Sequence, residues 1–439
     1  MAGRLRAAPR LVVTPARLKA AEVFGIWSPV DRSTPTRRVI EDQNDGLLDF
    51  YMKEVEQRRW YGFWNHGDVM HTYDSDRHVW RYDIGGFAWA NSELSPDLWL
   101  WLSFVRSGRA DVFRLAEAMT RHTGEVDVCH SGPYRGLGTR HGVQHWGDSS
   151  KQPRVSNAAY RRYYYYLTAD ERVGDLMHEL IGADESLTRV DIGRKLPGAQ
   201  PSRPEGVVDM GFGTSWSALA SAWLTEWERT GDKHWRDRIV AGMDTIAAMP
   251  KQWFAGGSDF DLKTGRFLGK GDQVSVSHLN AVFGAVETHA ELFQLIDHPA
   301  YRNAWLDYCA FYNAPDAEFR AKTGAPARGR NLKEGHSRLT AYAAVQRKDA
   351  SLAERAWREF FSGEAGLGIG AAASERRIEG PAVIEPVVEI PRISTNASAQ
   401  WGLAAIQNLA LVGDALEAAR AKLPPPRRSD GGDAGKDAF

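Results

Sequence analysis

One irregular run, HSGPYRGLGTRHGVQHWGDSSKQPR (130–154), brings together Tyr134, Arg135, Arg140, His141, His145 and Lys151. These side chains suit one chemistry in particular. A guanidinium grips a carboxylate through two parallel hydrogen bonds, and an imidazole takes or gives a proton near neutral pH. Elimination from a uronic acid needs those parts: cancellation of the carboxylate charge, a base for the acidified C5 proton, and an acid for the leaving oxygen. Two neighbouring segments, WYGFWNHGDVMHTYD (60–74) and WRYDIGGFAWANSE (80–93), add Trp64, His66, Asp68, His71, Asp74, Arg81, Asp83 and Trp89. Indole faces stack on sugar rings, while Asp, Asn, His and Arg fix hydroxyl-rich ligands. The pattern describes a site for an acidic carbohydrate. Asp68, Asp74, Asp83, Glu93 and Asp148 keep hydrolysis open, since a glycosidase needs two carboxylates flanking the scissile bond. The density of Arg, His and Tyr favours elimination.

Other chemistries fit less well. His141 and His145 are four apart, but Gly142 and Gly147 argue against a helix stacking the two rings, and HGVQH lacks the glutamate of a zinc-protease motif. GLG and the GFG of MGFGTSW (210–216) lack the spacing of a phosphate loop. A fourth irregular segment, GKGDQVSVSHLN (269–280), contributes His278. No cofactor is required by the sequence. Ca²⁺ is compatible with a uronate site through Asp68, Asp74 or Asp148, although their spacing matches no calcium loop. The 55 basic and 56 acidic residues leave a formal charge of -1, so a nucleic acid partner is not expected. No apolar run has the length of a membrane span, and MAGRLRAAPRLVV lacks the apolar stretch and cleavage site of an export signal. Two cysteines, Cys129 and Cys309, make no disulfide framework.

A frame must hold these segments in place, and it shows as a recurring pair of amphipathic helices around a tight turn. Five such hairpins have turns near Gly108, Ala169, Gly231, His298 and Asp349. A helical run, PTRRVIEDQNDGLLDFYMKEVEQRRW, precedes them, and TNASAQWGLAAIQNLALVG closes the series. Tight turns on one side and long connections on the other predict an all-α fold, an (α/α)6 toroid with long loops at one rim, its ring complete or incomplete. The expected divisions are an N-terminal connector over 1–34, the toroid over 35–414, and a Pro/Gly/Asp-rich disordered tail over 415–439.

The runs RRWYGFWNHGDVMHTYD, WRYDIGGFAWANSE, RHGVQHWGD followed by Lys151 and Arg154, and ISTNASAQWGLAAIQNLALVGD resemble the C-terminal α/α toroid domain of the exo-rhamnogalacturonan lyase family. This is polysaccharide lyase family 26 and its bacterial relatives, and the resemblance covers residues 11–414. It implies β-elimination at rhamnose–galacturonate bonds of rhamnogalacturonan I, releasing an unsaturated disaccharide. Matched motif to motif, it makes His141 or His145 the base, Arg140 and Arg154 the carboxylate clamps, and Tyr73 or Tyr82 the acid. His66, His71 and His278 are reserve candidates, and Trp64, Trp89 and Trp146 are stacking platforms. Asp68, Asp74, Arg81, Asp83, Tyr134, Arg135, Asp148 and Lys151 complete the expected substrate contacts. Relatives carry β-rich domains ahead of the toroid and are often secreted. LVVTPARLKAAEVFGIWSPVDRSTP reads as the connection out of such a domain, which is expected as a separate or missing partner. Two further readings stand beside the lyase: an inverting glycoside hydrolase on the same scaffold, and a carbohydrate-binding remnant without turnover.

Overall fold

In the computed structural model, which describes residues 13–22, 24–82, 88–139, 151–190, 203–381 and 383–423, the helices fall into two kinds by burial. After a short α1 (Pro15–Ala20), α2 (Pro35–Arg58) leads into the hairpin of α3 (Pro96–Ser107) and α4 (Ala110–Glu125). Three hairpins follow: α5 (Ala158–Thr168) with α6 (Glu171–Glu179), α7 (Ser217–Thr230) with α8 (Lys233–Ala248), and α9 (Ala285–Leu295) with α10 (Pro299–Phe311). Then come α11 (Asp316–Thr323), the pair α12 (Lys333–Arg347) and α13 (Ala350–Ser362), α14 (Thr395–Val412) and a last turn, α15 (Leu416–Ala421). Helix α3 is buried on every face from Pro96 to Arg106, and α14 nearly so. Helix α8 buries only Ile239, Gly242, Met243 and Ile246. A helix apolar all round belongs inside, and one with a single stripe belongs outside. So α3, α5, α7, α9, α12 and α14 form an inner ring, and α2, α4, α6, α8, α10 and α13 jacket it.

The tight turns lie where the sequence places them, for local chemical reasons. Gly108 and Gly231 end their helices at φ 70° and 73°, a region that costs glycine little. Asp170, Asp232 and Asp349 cap the next helices, each carboxylate accepting first-turn backbone N–H groups. Ring closure is a matter of packing. Helix α14 packs against both α3 and α12, α3 against α5, α5 against α7, α7 against α9, and α10 against α12. Helix α2 covers the α14–α3 seam: Trp99 Nε1 donates to Asn44 Oδ1 at 2.9 Å, and Arg106 pairs with Glu41 at 2.6 Å. The ring is complete. Its axis is filled, with Gln407 Nε2 on Glu287 Oε1 at 2.6 Å and Arg338 3.4 Å from the same oxygen.

Six long connectors, residues 59–95, 126–157, 180–216, 249–284, 312–332 and 363–394, each lead in sequence to the N-terminus of an inner helix, and their described parts gather at one rim. They carry the small antiparallel sheets: β1 (Tyr73–Asp74) with β2 (Val79–Trp80), β3 (Gly138–Thr139) with β4 (Lys151–Gln152), β5 (Val207–Gly211) with β6 (Gly257–Asp261) and β7 (Arg266–Phe267), and β8 (Arg376–Ile378) with β9 (Val387–Glu389). The MGFGTSW segment becomes the end of β5 and one π-turn. A Cβ on Gly213 would lie 2.2 Å from the Asn280 carbonyl, so this glycine serves close backbone approach. The chain stays ordered past 414, contrary to the expected boundary. Leu416 and Ala419 are buried, and Thr36 donates to Glu417 at 2.7 Å, which ties α15 to α2. The expected tail beyond 423 lies outside the described residues. No helix among the described residues is long and apolar enough to cross a membrane.

Candidate active site

Three rim loops converge where they enter inner helices. Glu93 sits in a turn whose neighbours Asn91, Leu94 and Ser95 all take positive φ, at 50°, 54° and 66°. Such clustered strain in non-glycine residues marks backbone held by its surroundings. Here the Ser95 hydroxyl donates to the Val282 carbonyl at 2.7 Å and lies 3.1 Å from the Tyr160 hydroxyl. Arg154, just ahead of α5, donates from Nη2 to Glu93 Oε1 at 3.2 Å, and its guanidinium lies 4.4 Å over the Phe283 ring ahead of α9. His278 completes the group. Burial pulls its pKa below the ordinary imidazole value, with Glu93 opposing and Arg154 reinforcing. The result is a half-buried imidazole whose neutral form is favoured, within electrostatic reach of a guanidinium and a carboxylate. Below them His336 in α12 stacks on Tyr312 at 4.1 Å and bonds the Leu332 carbonyl through Nδ1, and burial pulls its pKa down to about 3.

Two other polar clusters draw on the rim loops. His122 in α4 bonds the His66 carbonyl through Nδ1 at 3.1 Å, and its Nε2 faces Asp127 at 3.2 Å and Asp68 at 3.6 Å. Burial depresses its pKa, but Asp127 and then Asp68 outweigh that and raise it to about 9. The second cluster surrounds Tyr73, which donates to Glu389 Oε2 at 2.5 Å. His78 bonds the same carboxylate at 2.8 Å and Arg376 its other oxygen at 2.6 Å. Burial and the Glu389 charge both raise the Tyr73 pKa.

The expected site residues are distributed unevenly over this geometry. Arg154, expected as a clamp on a substrate carboxylate, is instead buried and paired with Glu93, while His278 lies within electrostatic reach of both. Asp68 goes with His122 and Asp127, while His71, also buried, bonds Thr72 at 2.5 Å beside the start of α14. Trp64 is 49 % exposed, with the 84 % exposed Phe63 edge-on at 4.6 Å. Tyr82 at 52 %, Tyr134, His66 and Arg135 are also exposed, and Arg81 is half-buried. Trp89 departs from its expected role as an open platform. It is 2 % exposed, with its ring edge-on to Trp60 at 5.9 Å, because the Met70–Trp89 bridge draws it into the core. Asp74 accepts from Arg77 Nε at 2.7 Å and caps a local turn. Tyr73 is locked in its own buried network, apart from Tyr82 at the surface. Asp83, Arg140, His141, His145, Trp146 and Asp148 lie outside the described residues, as does the Lys151 side chain.

Sequence reasoning missed His122, Asp127 and His336. For His122 a signal existed. The buried stripe Val112, Ala116, Met119 and Thr123 runs along α4, and His122 lies beside it.

Residues 8–417 match the family described as PcRGLX-like protein C-terminal alpha/alpha toroid domain. A curated relative, "Uncharacterized protein YetA" from Bacillus subtilis (strain 168), is 40 % identical over 429 residues, 95 % of this chain and 48 % of its own length. The chain therefore spans about half of that relative.

Proposed function

Since this chain belongs to the PcRGLX-like family of rhamnogalacturonan-lyase-like proteins through its α/α toroid domain, we propose that it is a polysaccharide lyase. Its substrate is rhamnogalacturonan I, cut at rhamnose–galacturonate bonds by exo-acting β-elimination. The observation that carries this reading is the Arg154–Glu93 pair at the rim where inner helices begin, with His278 within its electrostatic reach. In the reaction the C5 proton passes to a base, the C4=C5 double bond forms, and the C4–O bond breaks. The electron pair leaves with the glycosidic oxygen, which an acid protonates. The positive ends of the inner helices lower the cost of charge building on the uronate carboxylate, and Arg154, buried against Glu93, holds that rim in place. A neutral imidazole suits proton abstraction, and burial keeps His278 in that form. His141 or His145, between β3 and β4 in sequence, remains the base that the family motif implies. Tyr82 is the acid best supported by exposure, and Trp64 with Phe63 the shelf for a sugar face.

The test incubates the purified chain with rhamnogalacturonan I oligosaccharides while ultraviolet absorbance of the unsaturated product and new reducing ends are followed in parallel. Rising absorbance is expected. Reducing ends without it would mean hydrolysis, and binding without either would mean a carbohydrate-binding remnant. His278→Ala should lower turnover about 100-fold or more if His278 is the base. Near-normal turnover would return the role to His141 or His145.

A further inference from the structure

We propose that Asp68, His122 and Asp127 form a binding site for one divalent transition cation of the zinc class, buried between α4 and the first rim loop. All three side chains are buried, and one potential ligand atom from each lies within 4.8 Å of the others. The orientation of the imidazole is the first argument. The His66 carbonyl only accepts, so Nδ1 carries the proton and Nε2 is turned toward the two carboxylates. That is how metal-bound histidines are held, with the far nitrogen fixed by a carbonyl. Asp68 is held in a similar way, its Oδ1 accepting the Val69 and Asn91 backbone N–H groups at 2.7 and 3.0 Å.

Spacing is the second argument. Nε2 lies 3.2 Å from Asp127 Oδ2 and 3.6 Å from Asp68 Oδ2. Ligands about 2.0–2.1 Å from a tetrahedral ion sit about 3.3–3.4 Å apart, between those two values. A proton on Nε2 reaches Asp127 within hydrogen-bond range and falls short of Asp68, whereas a cation takes all three. The donor set selects the ion. One imidazole with two carboxylates is a three-ligand set of nitrogen and oxygen donors, which suits zinc. Calcium prefers six to eight oxygens. A bound ion would pin the loop carrying Trp64 to α4 and, through the Asn91 N–H on Asp68, the turn that holds Glu93.

The chain, purified without chelator, should contain one equivalent of such a metal by elemental analysis. After chelation its melting temperature should fall and return on adding Zn²⁺. His122→Ala should lose both the metal and the Zn²⁺ response. Asp127→Asn, a milder change, should weaken Zn²⁺ binding while the circular dichroism spectrum stays that of the wild type. No bound metal and no shift with Zn²⁺ would overturn the site. A response to Ca²⁺ alone would overturn the class of ion.

Discussion

At the scale of single residues, two tryptophans from one sequence pattern end in opposite environments, and the contrast is measurable. Trp64→Ala removes a half-exposed ring, so stability should change by less than about 0.5 kcal/mol. Affinity for substrate oligosaccharides should fall, read as a higher KM with kcat nearly kept, because an outlying shelf binds ground and transition states alike. Trp89→Ala should instead cost about 3–5 kcal/mol in urea denaturation, since the ring is enclosed against Trp60. If Trp64→Ala lost kcat with KM unchanged, the ring would belong to the reacting centre. Glu93→Gln probes the pair that anchors the site. Removing one charge of the buried Glu93–Arg154 pair should destabilise the fold by about 3 kcal/mol, and Arg154→Lys, which keeps the charge but loses the planar fork, should cost less. Equal losses from the two variants would mean that geometry, and not charge, holds the pair.

At the scale of elements, helix α9 buries a titratable ring with a legible consequence. His289 donates from Nδ1 to the Ala285 carbonyl at 2.6 Å, so its Nε2 accepts from the Tyr301 hydroxyl, also at 2.6 Å, and Trp305 stacks on it at 4.1 Å. Burial lowers its pKa to about 4 from 6.5. Between those values the unfolded chain binds more protons than the folded one. Stability from this ring is therefore full above 6.5 and is lost as pH falls toward 4, by about 1.4 kcal/mol per pH unit. Glu334, pushed up to about 7 by burial, contributes the opposite slope, so the informative quantity is a difference. Urea denaturation at pH 7, 6 and 5 should show wild type losing more stability on acidification than His289→Gln, and parallel curves would refute the neutral ring. Elements of this kind were legible because their signals are local: the capping Asp170, Asp232 and Asp349 and the glycines 108 and 231 announce their turns from neighbouring residues alone. The candidate site was legible only as separate residues. Arg154, His278 and Glu93 each stood out in a separate irregular segment, but what joins them is the angular order of three inner helices, which no local pattern encodes. Trp89 misled for the same reason, because its burial depends on a bridge to Met70 rather than on its own neighbours.

At the scale of the whole molecule, the ring stands or falls at the seam where its last inner helix meets its first. There Gly402 of α14 faces Trp99 of α3, and a Cβ would lie 2.1 Å from the indole Nε1 and 2.3 Å from Cδ1. The indole has little freedom to retreat, because Nε1 donates to Asn44 of α2 and Tyr51 of the same helix stands edge-on at 5.8 Å. Alanine in a helix interior is worth about 1 kcal/mol over glycine, whereas overpacking a fitted core costs about 1–3 kcal/mol and breaking the Trp99–Asn44 bond about 1 kcal/mol more. The steric loss should win, so Gly402→Ala is expected to destabilise by about 1–3 kcal/mol. Gly182, in the turn after α6 with nothing within 4 Å of an added Cβ, is the control, and Gly182→Ala should be neutral. The seam joins chain ends far apart in sequence, so its loss should also appear as faster hydrogen exchange in α2, α3 and α14 than in α7 and α8 across the ring. Uniform acceleration around the ring would instead mean that the toroid opens as one cooperative unit. The rim loops that carry Glu93, Arg154 and His278 would then lose their geometry only on global unfolding.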